Sequence, residues 1–112
     1  MDRIVVLGSG TMAVGIAAGF IEAGVPVVVL GRSLEKARTA LAASVETARG
    51  LAGAALAPAA HVAGEIDSWS DWAGVTLVIE TVTEDFALKR ALFESLNTRV
   101  PAGIPLATNS SG

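Results

Sequence analysis

The sequence predicts an α/β protein with a doubly wound parallel sheet. Three short apolar runs rich in β-branched residues, at 4–7, 26–30 and 76–80, have the composition of parallel strands buried on both faces. The stretches between these runs carry apolar residues at helical spacing. Strands that alternate with helices in this way form a parallel sheet with right-handed crossovers.

The first thirty residues predict a β-α-β unit. Residues 4–7 are the first strand, and Gly24 is placed to end the helix that follows. Close helix packing would account for Gly15 and Gly19. Residues 26–30 are the second strand, with proline at its first position, where it does least harm. One stripe of the helix is predicted to carry Met12, Ile16, Phe20 and Ala23.

A long helix and an alanine-rich excursion follow the second strand. Ser33 is predicted to cap a helix over residues 34–49, which Gly50 interrupts. Residues 51–61 contain Pro58 and form either the second helix of an αα hairpin, which we favour, or a loosely ordered excursion.

The second half of the chain completes the sheet. We predict a strand at 62–66, a short helix at 68–73, a strand at 76–80, a helix capped by Asp85 and a last strand at 105–107. The order β-α-β-αα-β-β-α-β is that of a Rossmann-type sheet truncated after its fifth strand, with an αα excursion after strand two. An uncovered apolar last strand favours self-association as a homo-oligomer.

Composition excludes several classes of protein. Apolar residues make up 52% of the 112 residues and charged residues 17%, which excludes a disordered or fibrous chain. A net charge of −3 gives no general attraction for nucleic acid or an anionic membrane. The chain has no cysteine, which fits a cytoplasmic location, and its acidic residues have no histidine at metal-ligand spacing. We expect no metal and no membrane span.

A glycine turn follows the first strand and opens the first helix. It has the pattern G-x-G-x-x-A and runs Gly8-Ser9-Gly10-Thr11-Met12-Ala13. Gly8 permits the tight turn, Gly10 lets the backbone approach a pyrophosphate, and Ala13 lies where helix and strand pack closely. The free N–H groups and the positive dipole of the helix start favour an anion. This context predicts a dinucleotide site.

The end of the second strand favours NADP(H) over NAD(H), although NAD(H) stays open. NAD-binding units normally place an acid here, which binds the adenosine ribose hydroxyls. This chain has Gly31, followed by Arg32 and Ser33, with Lys36 one turn further on. The acid that would repel a 2′-phosphate is absent, and two cations and a hydroxyl are present.

Four motifs stand in order along the chain. They are the glycine turn with Gly15-Ile16-Ala17; Leu77-Val78-Ile79-Glu80 through Glu84-Asp85; Leu88-Lys89-Arg90 with Leu92-Phe93; and Ala107-Thr108-Asn109-Ser110-Ser111. Together they resemble the N-terminal domain of the 3-hydroxyacyl-CoA dehydrogenases. The resemblance covers all 112 residues and implies hydride transfer between a nicotinamide and a 3-hydroxyacyl or 3-keto thioester, as in fatty acid metabolism.

The resemblance also implies roles for particular residues. Glu84 and Lys89 correspond to family residues on the cofactor side of the site. Asn109 and Ser111 correspond to residues beside the nicotinamide and the substrate, where Ser111 would hydrogen-bond the reacting oxygen. Gly31 stands at a position where members of the family have an acidic residue.

We expect residues 1–112 to be the dinucleotide-binding domain alone, because the family's catalytic histidine and substrate domain would lie beyond this chain. His61 is far from that motif and is predicted to be a surface or capping residue. Two hypotheses follow. The chain is the cofactor-binding portion of an NADP(H)-dependent dehydrogenase that acts on an acyl-CoA-type substrate, or it is a free-standing dinucleotide-binding or regulatory module without turnover.

Overall fold

The fold is a five-stranded parallel sheet with helices on both faces, which confirms the predicted fold class. The computed structural model describes residues 2–52, 60–81 and 86–108. In chain order the elements are β1 (Arg3–Leu7), α1 (Thr11–Glu22), β2 (Val27–Gly31), α2 (Leu34–Ala52), β3 (Val62–Glu65), β4 (Val75–Glu80), α3 (Phe86–Arg99) and β5 (Leu106–Thr108).

The strand order in the sheet is β3-β2-β1-β4-β5, and each neighbouring pair is parallel. β1 is therefore central, and the order of the strands reverses between β1 and β4. Open α/β sheets bind ligands at the carboxyl edge of the sheet where such a reversal occurs. The topology thus places the glycine turn, which follows β1, at this edge.

Alternate residues of the central strands pack on opposite faces of the sheet. Ile4 and Val6 of β1 join α1 and α2 in one apolar cluster. Val5 and Leu7 face the other side, where Leu96 of α3 packs. A strand covered on both faces has no polar side to alternate with, and this explains the unbroken apolar runs.

Helix α1 packs with a different stripe from the predicted one, and that prediction is wrong. Met12 is 48% exposed and Ala23 is exposed, while Ile16 and Phe20 are only half-buried at the margin of the cluster. The buried residues are instead Ala13, Ala17, Ala18 and Ile21. Small side chains let the helix approach the sheet closely. Because the helix is apolar almost all round, no polar face fixes its rotation in the sequence.

The glycines of α1 have two different roles. Gly24 ends the helix as predicted, with φ of 81° and the Schellman bonds Gly24 N–H to the Ile21 carbonyl and Val25 N–H to the Phe20 carbonyl. The packing role predicted for Gly15 and Gly19 is wrong, because both are exposed. Within the described part of the chain, no atom outside the local helix backbone lies within 4 Å of a Cβ built at either position.

Helix α2 ends later than predicted, and most of the second helix of the predicted hairpin lies outside the described residues. Helix α2 continues through Gly50 to Ala52, since a single exposed glycine costs a helix only about 1 kcal/mol. The second helix of the predicted hairpin falls mostly on residues 53–59, which lie outside the described residues. Leu51 and Ala52 belong to α2, and residues 60 and 61 are not helical.

Residues 68–73 form turns and irregular backbone, so the predicted short helix is wrong. Arg3 holds this segment instead. Its guanidinium donates to the carbonyls of Asp71 and Ala73 at 2.8 and 2.9 Å and pairs with the Asp71 carboxylate at 3.3 Å. Trp69 and Trp72 pack against the apolar cluster on the α3 face.

Candidate functional site

The glycine turn begins with a residue that must be glycine. Gly8 has φ of 129°, a conformation that side-chain-bearing residues rarely adopt. A Cβ at Gly8 would clash with Oγ1 of Thr81, which follows β4. Both the backbone conformation and the neighbouring side chain therefore exclude a larger residue, as the tight turn predicts.

Gly10 is different, because nothing in the described chain requires a glycine there. Its φ of −84° and ψ of −173° are open to any residue, and no atom lies within 4 Å of a Cβ built on it. Gly10 is the N-cap of α1, which has neither a side-chain cap nor an acidic residue in its first turn. The first N–H groups of the helix and its positive dipole thus border an open space that suits an anion.

A cleft of about 320 Å³ joins the glycine turn to the end of β2. It is lined by Gly8, Ser9, Gly10, Arg32, Lys36, Ile66 and Thr81. An adjoining cleft of about 460 Å³ shares two of these residues and is lined by Ser9, Ser33, Glu35, Lys36 and Thr39. Because both clefts are lined by Ser9 and Lys36, together they define a path from the glycine turn to the start of α2.

The charges along this path come from the start of α2 and the residues before it. Arg32 and Lys36 are exposed, and within residues 2–52, 60–81 and 86–108 neither side chain forms an ion pair. Glu35 is the acidic residue among the linings of the two clefts. Ser33 caps α2 as predicted, since its hydroxyl accepts a hydrogen bond from Lys36 N–H at 3.2 Å.

Gly31 ends β2 and is buried against the start of α2. A Cβ at this position would lie 3.2 Å from the Ala37 nitrogen and 3.4 Å from the Ser33 carbonyl oxygen. Gly31 also accepts a hydrogen bond from Ile66 N–H at 2.9 Å. A carboxylate side chain at the end of β2 would therefore require the start of α2 to move.

The two clefts bring together six of the twelve residues predicted to bind cofactor, namely Gly8, Ser9, Gly10, Arg32, Ser33 and Lys36. Thr11 and Met12 are exposed in the first turn of α1, and Ala13 is buried beneath the turn, where helix and strand pack closely as predicted. Lys89 lies in α3, but its side chain is outside the described residues. Glu84, Asn109, Ser111 and the predicted helix cap Asp85 also lie outside the described residues.

Thr81, Ile66, Glu35 and Thr39 line the clefts but are absent from the sequence prediction. Thr81 and Ile66 directly follow β4 and β3, so the rule that ligands bind at strand carboxyl ends could have found them. Glu35 and Thr39 flank Lys36 on α2, and helical spacing was the available signal.

His61 lies at the opposite edge of the sheet, before β3. Its Nδ1 accepts a hydrogen bond from Val27 N–H at 3.2 Å, so it caps the start of β2. Burial lowers the pKa of His61 from its ordinary value of 6.5. Within the described ranges no group of three histidine or acidic side chains could hold a metal, and no helix there could cross a membrane.

An uncapped helix start, an open glycine turn and basic side chains at the carboxyl edge of a parallel sheet define a dinucleotide-binding domain of the Rossmann type. Residues 3–112 match the family described as the NAD-binding domain of 3-hydroxyacyl-CoA dehydrogenase. The chain belongs to this family.

Solved structures with the same fold include known dehydrogenases. (S)-3-hydroxybutyryl-CoA dehydrogenase from Ralstonia eutropha is 23% identical with a TM-score of 0.75, and the match covers 99% of this chain and 41% of that one. 3-Hydroxybutyryl-CoA dehydrogenase from Escherichia coli is 24% identical with a TM-score of 0.70, and the match covers 98% of this chain and 25% of that one. FadB2 from M. tuberculosis is 27% identical with a TM-score of 0.67, and the match covers 99% of this chain and 41% of that one. The chain thus spans less than half of each relative.

Proposed function

We propose that this chain binds NADP(H) in preference to NAD(H), as the cofactor domain of a dehydrogenase. The observation that carries the proposal is that Arg32 and Lys36 line the same cleft as the glycine turn, without an ion-pair partner among the described residues. A pyrophosphate at Gly10 would leave the adenosine ribose within the path toward α2. Both cations are then available to its 2′-phosphate.

Two features of the α2 start support this preference. The Ser33 hydroxyl accepts the capping bond from Lys36 N–H, so its own hydrogen remains available to a phosphate oxygen. Gly31 carries no carboxylate to receive the ribose hydroxyls or to repel a phosphate. Glu35 is the opposing charge, and its position on the adjoining cleft sets a limit on how strongly the site attracts phosphate.

The chemistry proposed for the whole enzyme follows the family. The nicotinamide supplies or accepts the hydride as a 3-hydroxyacyl thioester and its 3-keto form interconvert. Asn109 and Ser111 would position the reacting oxygen, and Glu84 and Lys89 would lie on the cofactor side. We further propose that the whole enzyme acts on an acyl-CoA-type substrate in fatty acid metabolism, with a catalytic histidine and a substrate domain outside residues 1–112. We also propose that it is cytoplasmic and self-associates.

Parallel calorimetric titrations with NADPH and NADH test the cofactor preference. One charge-assisted hydrogen bond is worth about 1.5–3 kcal/mol, so we expect NADPH to bind roughly 10- to 150-fold more tightly than NADH. Arg32→Ala should weaken NADPH binding by about tenfold and leave NADH binding unchanged.

Arg38→Ala is the matched control. Arg38 is also an exposed arginine near the start of α2, but it lines neither cleft. Its replacement should change neither affinity. Equal affinities for NADPH and NADH, together with an Arg32→Ala variant that binds both as the wild type does, would show that the preference is wrong.

A further inference from the structure

Thr81 ties the end of β4 to the peptide bond that leads into the glycine turn. Its N–H and its Oγ1 both donate to the Leu7 carbonyl oxygen, at 3.0 and 2.8 Å. On the other side of the same peptide, Gly8 N–H donates to the Leu30 carbonyl at 2.8 Å. The strands on both sides of β1 therefore hold this peptide, and its plane sets the direction in which the chain leaves β1.

The side chain of Thr81 also fills the inside of the turn. Its Oγ1 occupies the space that a Cβ on Gly8 would need, and the residue lines the cleft beside Ser9 and Gly10. A threonine hydroxyl has one hydrogen, and here the Leu7 carbonyl accepts it. Thr81 therefore has no hydrogen left for a phosphate oxygen, and any effect on phosphate binding must act through the turn.

We propose that Thr81 is a positioning residue for the dinucleotide: it holds the Leu7–Gly8 peptide so that the N–H groups at the start of α1 face the pyrophosphate. This inference rests on the proposed dinucleotide site. Both dinucleotides contain the pyrophosphate, so Thr81 should affect NADPH and NADH equally. Arg32, in contrast, should affect NADPH alone, and the two proposals can fail independently.

The chain contains a matched control on the same pair of strands. The Oγ1 hydroxyl of Thr76, near the start of β4, donates a hydrogen bond to the Arg3 carbonyl of β1 at 3.4 Å. This contact joins the same two kinds of group as the bond from Thr81, a threonine hydroxyl and a backbone carbonyl, but it is longer and lies at the opposite edge of the sheet. Removal of the Thr76 hydroxyl perturbs the β1–β4 pair without touching the glycine turn.

The test measures NADPH and NADH affinity by calorimetry in Thr81→Val, Thr81→Ser and Thr76→Val, with thermal unfolding of each apo variant. Thr81→Val keeps the side-chain shape and leaves the Leu7 carbonyl bonded to the residue 81 N–H. We expect it to weaken both cofactors by roughly three- to tenfold, the equivalent of one hydrogen bond. Thr81→Ser and Thr76→Val should bind as the wild type does.

Wild-type affinity in Thr81→Val, equal loss in Thr76→Val, or loss confined to one cofactor would each overturn the positioning role. Failure of Thr81→Ser to bind as the wild type does would also overturn it. Thr81→Ala, which is too small to clash, replaces Thr81→Val if that variant does not fold. If the wild type binds neither cofactor, the proposed dinucleotide site itself is wrong and the Thr81 inference is refuted with it.

Discussion

Alanine substitutions at Gly8 and Gly10 should separate the two requirements that the glycine turn meets. Gly8→Ala places a side chain at φ of 129°, which costs about 1–3 kcal/mol. Its Cβ also clashes with Thr81 Oγ1, so the hydroxyl must turn away and give up its bond to the Leu7 carbonyl, which costs about 1 kcal/mol. The sum is a loss of roughly 2–4 kcal/mol in the free energy of unfolding.

Gly10→Ala should act on the ligand and not on the fold. Its backbone conformation suits alanine and its Cβ would meet no atom within 4 Å, so the loss of stability stays below about 1 kcal/mol, the cost of a poorer N-cap. The same Cβ would stand in the path of a pyrophosphate. By analogy with overpacking in cores, at about 1–3 kcal/mol, we expect dinucleotide affinity to fall about tenfold or more.

Urea unfolding and calorimetric titration measure the two effects separately. Gly50→Ala is the control, because Gly50 is exposed in α2 and no atom of the described residues lies within 4 Å of a Cβ built there. It should raise the stability by about 0.5–1 kcal/mol and leave binding unchanged. A Gly8→Ala variant as stable as the wild type would show that the fold does not need glycine at position 8. A Gly10→Ala variant that binds as tightly as the wild type would show that binding does not need glycine at position 10.

Three further predictions concern stability. Burial lowers the pKa of His61, so this histidine binds a proton more readily in the unfolded chain than in the folded one. The free energy of unfolding should therefore fall as the pH drops below about 6.5. Urea titrations at several pH values should show this fall in the wild type and not in His61→Leu. Arg99 donates hydrogen bonds to two backbone carbonyls of the β3–β4 connection, so Arg99→Met should lower the free energy of unfolding in urea by roughly 1.5–3 kcal/mol. Arg49 lies in an exposed ion pair, so Arg49→Met should lower it by at most about 1 kcal/mol. Gly64→Ala should lower Tm through a loss of about 1–3 kcal/mol, because its Cβ would lie 2.5 Å from the Trp69 ring; an unchanged Tm would contradict this packing.

The strands could be predicted from sequence because each is a short apolar run bounded by turn residues. All five predicted strands begin and end within one residue of the observed ones. The glycine turn and the Ser33 cap were equally local signals. Helix α1 was harder, since an apolar helix without a polar face does not reveal its rotation, and the stripe was placed one residue away from Ala13 and Ala17.

The walls of the cleft could be predicted only in part, because they come from distant segments of the chain. Gly8 and Thr81 meet only after β1 pairs with β4, and no local pattern around either residue records that contact. The close approach of Gly31 to Ala37 likewise depends on how α2 packs against β2. From the sequence, Gly31 is identified as the position where the usual acidic residue is missing. The structure adds that a side chain at this position would displace the start of α2.

Nitrogen–proton correlation spectra of the wild type, recorded during titrations with NADPH and NADH, show residue by residue whether the dinucleotide binds at the glycine turn. We expect both cofactors to shift the amide signals of residues 9–12, NADPH alone to shift those of Arg32 and Lys36 strongly, and His61 at the opposite edge to stay unchanged. Shifts that cluster away from the glycine turn, or no shifts with either cofactor, would contradict a dinucleotide site at the carboxyl edge of this sheet.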